Sequence, residues 1–580
     1  HLPDLQNAFG IVDSSIVDAL DLYSGGFPAE FGGVQSGVLD ARTRSPSAPS
    51  QVELGVSFLT ARAVVGGAFG GGGSWLAAAR RGYLDLVLQR VDPNGELEPA
   101  YGDLFAKVER PLGRHSLAAL ETFALEDRER FTSDEPGEER LLGRASGGTT
   151  WVRVETALGS ELFGRTVVGW TRREQERSGF ANRGRATLRD ERSLDDWVAR
   201  QEWTWEARDS QRLKAGWSAS RVRADYDFSS ARVVDDPVIL RGEAPRTIAL
   251  RSRLFPEGEA WGLYVANRWA PSRRFAVEVG GRFDRQSWLR EGGGAEQVSP
   301  RLQLLWRTGT STELRAAWGR YSQPQRVDEL QVEDGVETFN PVEVAEHRVL
   351  SLARVLPRAG SLRIEAYDKR LPRPAPRFEN LFDPIELFPS LEEDRVGVEP
   401  QRARLRGVEA AWSQRPSPRT RFSAAYVWSR SEDLVKGRWT PRRFDQTHSA
   451  TAIFALVPND RWSVELVHTY HTGWPTTAAT LALVPGPGGQ PVLGVVLGPR
   501  NGERFPDYQR LDLRVRRSRA TARGAFDLYF EAFNLLDRDN VCCVNGFELT
   551  PADGPVPALS VSHDYWLPLV PSFGVVWRRP

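Results

Sequence analysis

Methionine is absent from the 580 residues, and only two residues are cysteine, the adjacent pair Cys542 and Cys543. Adjacent cysteines build no disulfide framework and lack the spacing of zinc ligands. No run approaches the roughly 18 apolar residues of a membrane helix, so none is expected. Net charge is missing as well. The 76 basic residues balance 76 acidic ones, which leaves no long-range pull on nucleic acid and excludes it as an expected partner. There is no GxSxG, no HExxH, no P-loop and no spaced Cys/His quartet. The expectation is therefore no enzyme, with no catalytic residue, cofactor or metal site. The chain starts at His1 with neither a start residue nor a signal peptide. It is read as a fragment or processed form, and the missing signal says nothing about compartment.

What the chain does have is alternation. In RRFAVEVGGRFDRQSW, Phe275, Val277, Val279 and Phe283 point one way, while Ala276, Glu278, Gly280, Arg282 and Asp284 point the other. Side chains of a strand alternate faces with period two, so such a strand has one apolar and one charged face. Leu302, Leu304 and Trp306 repeat the pattern, as do Leu314, Ala316 and Trp318, and residues 308–311 between them fit only a tight reversal. A soluble sandwich also alternates. Here the pattern persists down the whole chain, aromatics sit towards the strand ends, and tryptophan is abundant at 19. That is the pattern of a membrane barrel with lipid outside and a polar lumen, and it explains a mean hydropathy of only −0.42.

Short reversals near 69–73, 110–114, 159–161, 208–211, 270–273, 308–311, 356–360, 414–419, 457–461 and 518–523 alternate with longer polar connections, among them 82–100, 126–146, 174–196, 228–258, 371–401, 430–445, 475–506 and 540–568. The predicted fold is all-β, a 22-stranded antiparallel transmembrane barrel over residues 51–580. A barrel of that size needs a plugged lumen. Residues 1–46, rich in glycine, are the candidate: the C-terminal remnant of an α/β plug, with a short helix expected around Ile16, Val17 and Leu20.

Long connections on a rigid scaffold are the usual place for recognition. Arg373, Arg377, Phe378 and Asn380 in one of them, and Asp445, Gln446 and His448 in another, fit either ligand contact or plain solvation. Trp474 fits either an interfacial girdle or a stacking platform, and His468 and His471, three apart on a strand, cannot chelate from one face. Cys542 and Cys543 fit a vicinal disulfide in an oxidising compartment better than a metal site. Arg42 and Arg44 are expected either at a surface or paired with lumenal carboxylates such as Glu465 or Glu531, since an unpaired buried charge is costly.

An ordered set of segments resembles TonB-dependent outer-membrane receptors. GGFPAEFGGVQSGVLDARTRS is similar to the closing segment of their plug. SWLAAARRGYLDLVL, SPRLQLLW, AAWGRYSQPQ, RARLRGVEAAW, RRFDQTHSA, HTGWPTT and DYQRLDLRV resemble successive barrel signatures, and DLYFEAFNLLDRDN resembles the penultimate strand. The resemblance implies a Gram-negative outer-membrane location, a lipid environment, a single chain and an extracellular solute bound between plug and loops. It also implies a TonB-type periplasmic partner that pulls on the plug. The energy-coupling box is not in this sequence, and the chain ends VVWRRP where the family usually ends on an aromatic residue.

Overall fold

Alternating faces close into a cylinder. The computed structural model describes residues 13–86, 97–132, 139–234, 245–289, 296–385, 388–485, 490–550 and 558–579. From Gln51 to Arg579 the chain forms one closed antiparallel barrel of 22 staves. The first stave, Gln51–Ser57, pairs with the last, Val570–Arg579, with Leu54 opposite Trp577. Two staves are each made of consecutive strands. Arg246–Leu254 and Glu257–Ser272 both pair with Gln211–Val234, and Arg438–Pro441 and His448–Asn459 both pair with Thr420–Val435.

The outer face is apolar in register. Phe422, Phe454, Leu466 and Leu513 form one rung across four staves. Large apolar side chains stay uncovered there: Trp306 is 54% exposed, Leu350 60% and Leu528 54%. A water-soluble fold would bury them; a wall wetted by lipid does not. Charge lines the bore instead, with Lys107, Glu121, Arg282, Asp284, Arg301 and Glu365 all buried. The tight reversals fall at one end, as expected, for example between Phe69 and Gly73 and between Leu158 and Leu162.

Three expected connections, 126–146, 174–196 and 228–258, are largely strand. The staves here run Arg140–Leu158, Leu162–Ala181, Ala186–Arg208 and Gln211–Val234, up to 24 residues long. Above the apolar band their polarity inverts. Outside, charges pair along the strands, as in Arg172–Glu174, Arg189–Glu191 and Arg223–Asp225. Inside, Leu188, Leu194, Val222, Ala224, Tyr226 and Phe228 are buried beneath Val327, Leu330, Val332, Phe388 and Leu391. Two long connections thus fold inward over the long-connection end. Residues 87–96, 133–138 and 235–244 of the expected connections lie outside the described residues, as do residues 1–12 of the expected plug segment.

The helix expected near Ile16 is not formed. Ser14–Ile16 is a single 3-10 turn capped by Asp13, whose carboxylate accepts from the Ser15 amide at 2.8 Å. Strand β1, Val17–Tyr23, follows at once and pairs antiparallel with β2, Val38–Thr43. Val17, Ala19, Asp21 and Tyr23 alternate with Asp18, Leu20 and Leu22, and a hydrogen-bonding partner strand outweighs a weak helical spacing. The described N-terminal segment is therefore a β-hairpin, not an α/β unit.

Candidate functional site

The hairpin lies in the bore, and its connecting residues 24–37 reach across to the far wall. Phe27, fully buried, packs against Tyr321 with ring centroids 4.4 Å apart. The Arg301 guanidinium lies over both rings, 5.2 Å from Phe27 and 4.5 Å from Tyr321. It donates to the carbonyls of Phe27 at 3.2 Å, Phe31 at 2.7 Å and Pro28. Lys369 donates to Ser24 and Ser36 carbonyls at 2.6 and 3.1 Å, Gln303 to Gly26 at 2.8 Å and Arg282 to Glu30 at 3.3 Å. Lys214 pairs with the Glu30 carboxylate at 2.7 Å.

Cations therefore hold the segment chiefly by its backbone. This accounts for Gly26 and Gly32 in GGFPAEFGG. Gly26 has φ +62°, and a Cβ there would meet the Ala317 Cβ at 2.8 Å. A Cβ on Gly32 would stand 1.9 Å from Arg282 Nε. At the near wall Arg62 pairs with Asp13 at 3.4 Å, and Thr43 donates to Glu121 at 2.8 Å.

Above the segment, inward-folded connections meet in a network of ion pairs. Asp433, fully buried, accepts from Arg377 at 2.5 Å and from Arg442 at 2.9 Å. Glu379 accepts from Arg377 at 2.6 Å and Arg500 at 2.7 Å. Arg395 holds Asp334 through two nitrogens, each at 2.5 Å, and donates to Asn380 at 3.0 Å. Arg504 pairs with Asp445. Four separate connections are tied together, since the charges left water only in company. Arg443 stacks over Phe444 at 4.6 Å and forms no ion pair among the described residues; burial lowers its pKa. Burial also raises Asp334, and it lifts Asp394 to about 6 although the Phe382 amide donates to it at 2.8 Å.

The structure gathers Arg377, Phe378, Asn380 and Asp445 into this network; Arg395 lies 5.8 Å from the Phe378 ring. Gln446 lies beside it, its carbonyl accepting from Ser429 at 2.7 Å. Trp474 joins an aromatic group with Phe444 at 5.1 Å and Trp566 at 5.8 Å. Arg373 is exposed. His448 is not in the mouth: it opens the stave His448–Asn459, shares an outer rung with Trp428, and bonds Tyr426 at 2.8 Å.

The expected pairing of Arg42 and Arg44 with Glu465 and Glu531 is not formed. Arg42 pairs with Asp21 on the neighbouring strand at 3.1 Å, and Glu531 pairs with Arg514 at 3.3 Å. Glu465 sits in the barrel rung opposite Arg514, and the Arg44 amide bonds the Ile16 carbonyl. Between Arg42 and Arg44 it is Thr43 that meets a wall carboxylate, Glu121, because β2 leans on the staves around Lys107 and Glu121. Cys542 and Cys543 are buried free thiols with sulfurs 2.7 Å apart on the strand Val541–Thr550. Sequence reading missed Arg301, Lys369, Arg395 and Asp433, because each belongs to a charged strand face or loop no different from its neighbours until the fold selects it.

A family model described as TonB dependent receptor-like, beta-barrel matches residues 132–535, more than half of the chain. The chain belongs to the TonB-dependent receptor family. Solved structures agree in fold. A mutant of the ferric enterobactin receptor PfeA from Pseudomonas aeruginosa is 12% identical with a TM-score of 0.69, over 98% of this chain and 85% of that one. The outer membrane transporter YddB from Escherichia coli is 10% identical with a TM-score of 0.65, over 98% and 85%. The siderophore receptor PiuA from Acinetobacter baumannii is 10% identical with a TM-score of 0.64, over 94% and 84%. No curated protein sequence matches the chain. The receptor is thus a transport protein of the Gram-negative outer membrane, not an enzyme. Its tight turns face the periplasm and its long connections face outwards.

Proposed function

We propose that the receptor captures a scarce solute at its extracellular mouth and admits it when a TonB-type periplasmic partner displaces residues 13–46. On this reading 1–46 is plug material, 51–580 is the channel wall, and Arg373, Arg377, Phe378, Asn380, Asp445, Gln446 and Trp474 contact the solute. The observation that carries the proposal is the crossing of the bore by residues 24–37, held by Arg301, Lys369, Arg282 and Gln303. A segment held largely through backbone carbonyls, with few buried side chains such as Ile16 and Phe27 to withdraw, can leave without dismantling the barrel wall. A closed barrel has no free strand edge, which suits action as a single chain.

Conductance in a planar bilayer, paired with solute uptake in cells, tests the reading. The receptor with its complete N-terminal region should hold no steady current, yet support uptake that stops when the proton gradient is collapsed. A steady current, or uptake indifferent to the gradient, would instead establish a passive channel.

A further inference from the structure

The outer wall carries an arginine cluster that solute transport does not use. Along one rung, Trp318, Arg348, Asp368, Arg406 and Arg430 stand side by side on five consecutive staves. The next rung outwards reads Arg320, Glu346, Arg370, Arg404 and Glu432. Both rungs share their face with Leu350, Ile364, Val408 and Tyr426, which are exposed on the lipid side. The intervening residues His347, Lys369 and Ala403 face the bore. The cluster therefore sits on the outer surface, at the extracellular edge of the apolar band.

Six guanidinium groups share three carboxylates. Arg348 pairs with Glu346, Arg370 with Asp368, and Arg404 with Glu432, which Arg406 also approaches at 4.0 Å. Arg320 and Arg430 form no ion pair among the described residues. Arg370 stands directly opposite Arg404, and Arg406 directly opposite Arg430. Like charges directly opposite in a sheet repel. Two such rungs side by side, with the surplus positive and facing the headgroup layer, call for an anion between them. Guanidinium forks match phosphate oxygens bidentately. Arg404 lies over Trp439, its guanidinium carbon 3.9 Å from the ring centroid, and bonds Glu432 through Nε at 2.9 Å, which leaves its two terminal nitrogens for an acceptor.

We propose that this face binds the phosphate group of an anionic outer-leaflet lipid, with Arg370, Arg404, Arg406 and Arg430 as its ligands and the acyl chains lying on the apolar wall below. The lipid neutralises the two repelling rungs and fixes the rotational setting of this wall in the membrane. The proposal stands apart from the solute and its route.

The test uses purified receptor in detergent, with bis-phosphorylated lipid A as probe and its enzymatically dephosphorylated form beside it. Native mass spectrometry and thermal unfolding read binding. The phosphorylated lipid should bind and raise the unfolding temperature, and the dephosphorylated form should bind at least tenfold more weakly. The triple variant Arg370→Gln, Arg406→Gln, Arg430→Gln should lose that preference, yet unfold in lipid-free detergent no lower than the wild type, because repulsion has been removed. Arg354→Gln, at the other rim, should change nothing. Should the triple variant fail to assemble, Arg430→Gln alone should weaken binding about threefold. Equal binding of both lipid forms, or variants that bind like the wild type, would overturn the proposal. So would inorganic phosphate at millimolar concentration giving the full stabilisation by itself, since the site would then serve a free anion.

Discussion

Arg301 is where the N-terminal segment and the barrel wall meet most closely, because one guanidinium answers three carbonyls and two aromatic faces. Arg301→Ala should release residues 27–31, since charge-assisted hydrogen bonds contribute about 1.5–3 kcal/mol each and the carbonyls would be left buried without donors. The expected outcome is flickering bilayer current and faster proteolysis near Phe31, with an intact barrel. Gly32→Ala should do the same from the other partner, by pushing Arg282 aside. Asp394 gives a pH dependence. Burial lifts its folded pKa to about 6, above the ordinary aspartate value of 3.8, so the folded mouth holds the proton more tightly than the unfolded chain does. Docking of the Leu381–Phe382 segment should therefore be strongest below about pH 4, weaken as pH rises from about 4 to 6, and level off above 6, a change of no more than about 3 kcal/mol. Hydrogen exchange at the Phe382 amide should show this trend, and Asp394→Asn should flatten it. For Cys542 and Cys543 we propose oxidation to a vicinal disulfide outside the cell, where disulfides persist, by exchange with a small-molecule disulfide that leaves as two thiols carrying the two hydrogens. Intact mass before and after reduction, with alkylation, checks for the loss of two hydrogens.

Elements in this molecule change character along their length. A stave such as Gln211–Val234 carries Trp217 on its lipid face low down and buries Tyr226 and Phe228 inwards higher up. The Tyr226 hydroxyl donates to the Val327 carbonyl at 2.8 Å and accepts from the Leu330 amide at 3.1 Å, so the extended staves hold the connection 324–342 in place. Tyr226→Phe should loosen that connection by roughly 1 kcal/mol, seen as faster exchange at Leu330 with unchanged barrel melting. The closing seam is equally specific. A Cβ at Gly574 would stand 2.5 Å from the Tyr529 hydroxyl and 2.7 Å from the Val56 carbonyl. Gly574→Val should block closure of Val570–Arg579 on Gln51–Ser57, and the heat-resistant compact band on gels should be lost.

At the scale of the whole receptor, the sequence by itself determined the barrel. Leu304, Trp306, Phe526 and Leu528 could be assigned to the outside and Asp284, Glu465 and Glu531 to the bore, because period-two alternation is a local property that lipid and water read alike along every stave. The tight turns were legible for the same reason. Tertiary structure alone decided the rest. It made β1 a strand, since only a partner 15 or more residues away supplies its hydrogen bonds. It carried four staves beyond the apolar band, where the inside becomes the apolar side and the alternation no longer marks lipid. It chose Arg301, Arg395 and Asp433 from the many charges of the sequence, and it left His448 on the outer wall. Which charges meet depends on how connections fold across the bore, over distances that no spacing along the chain records.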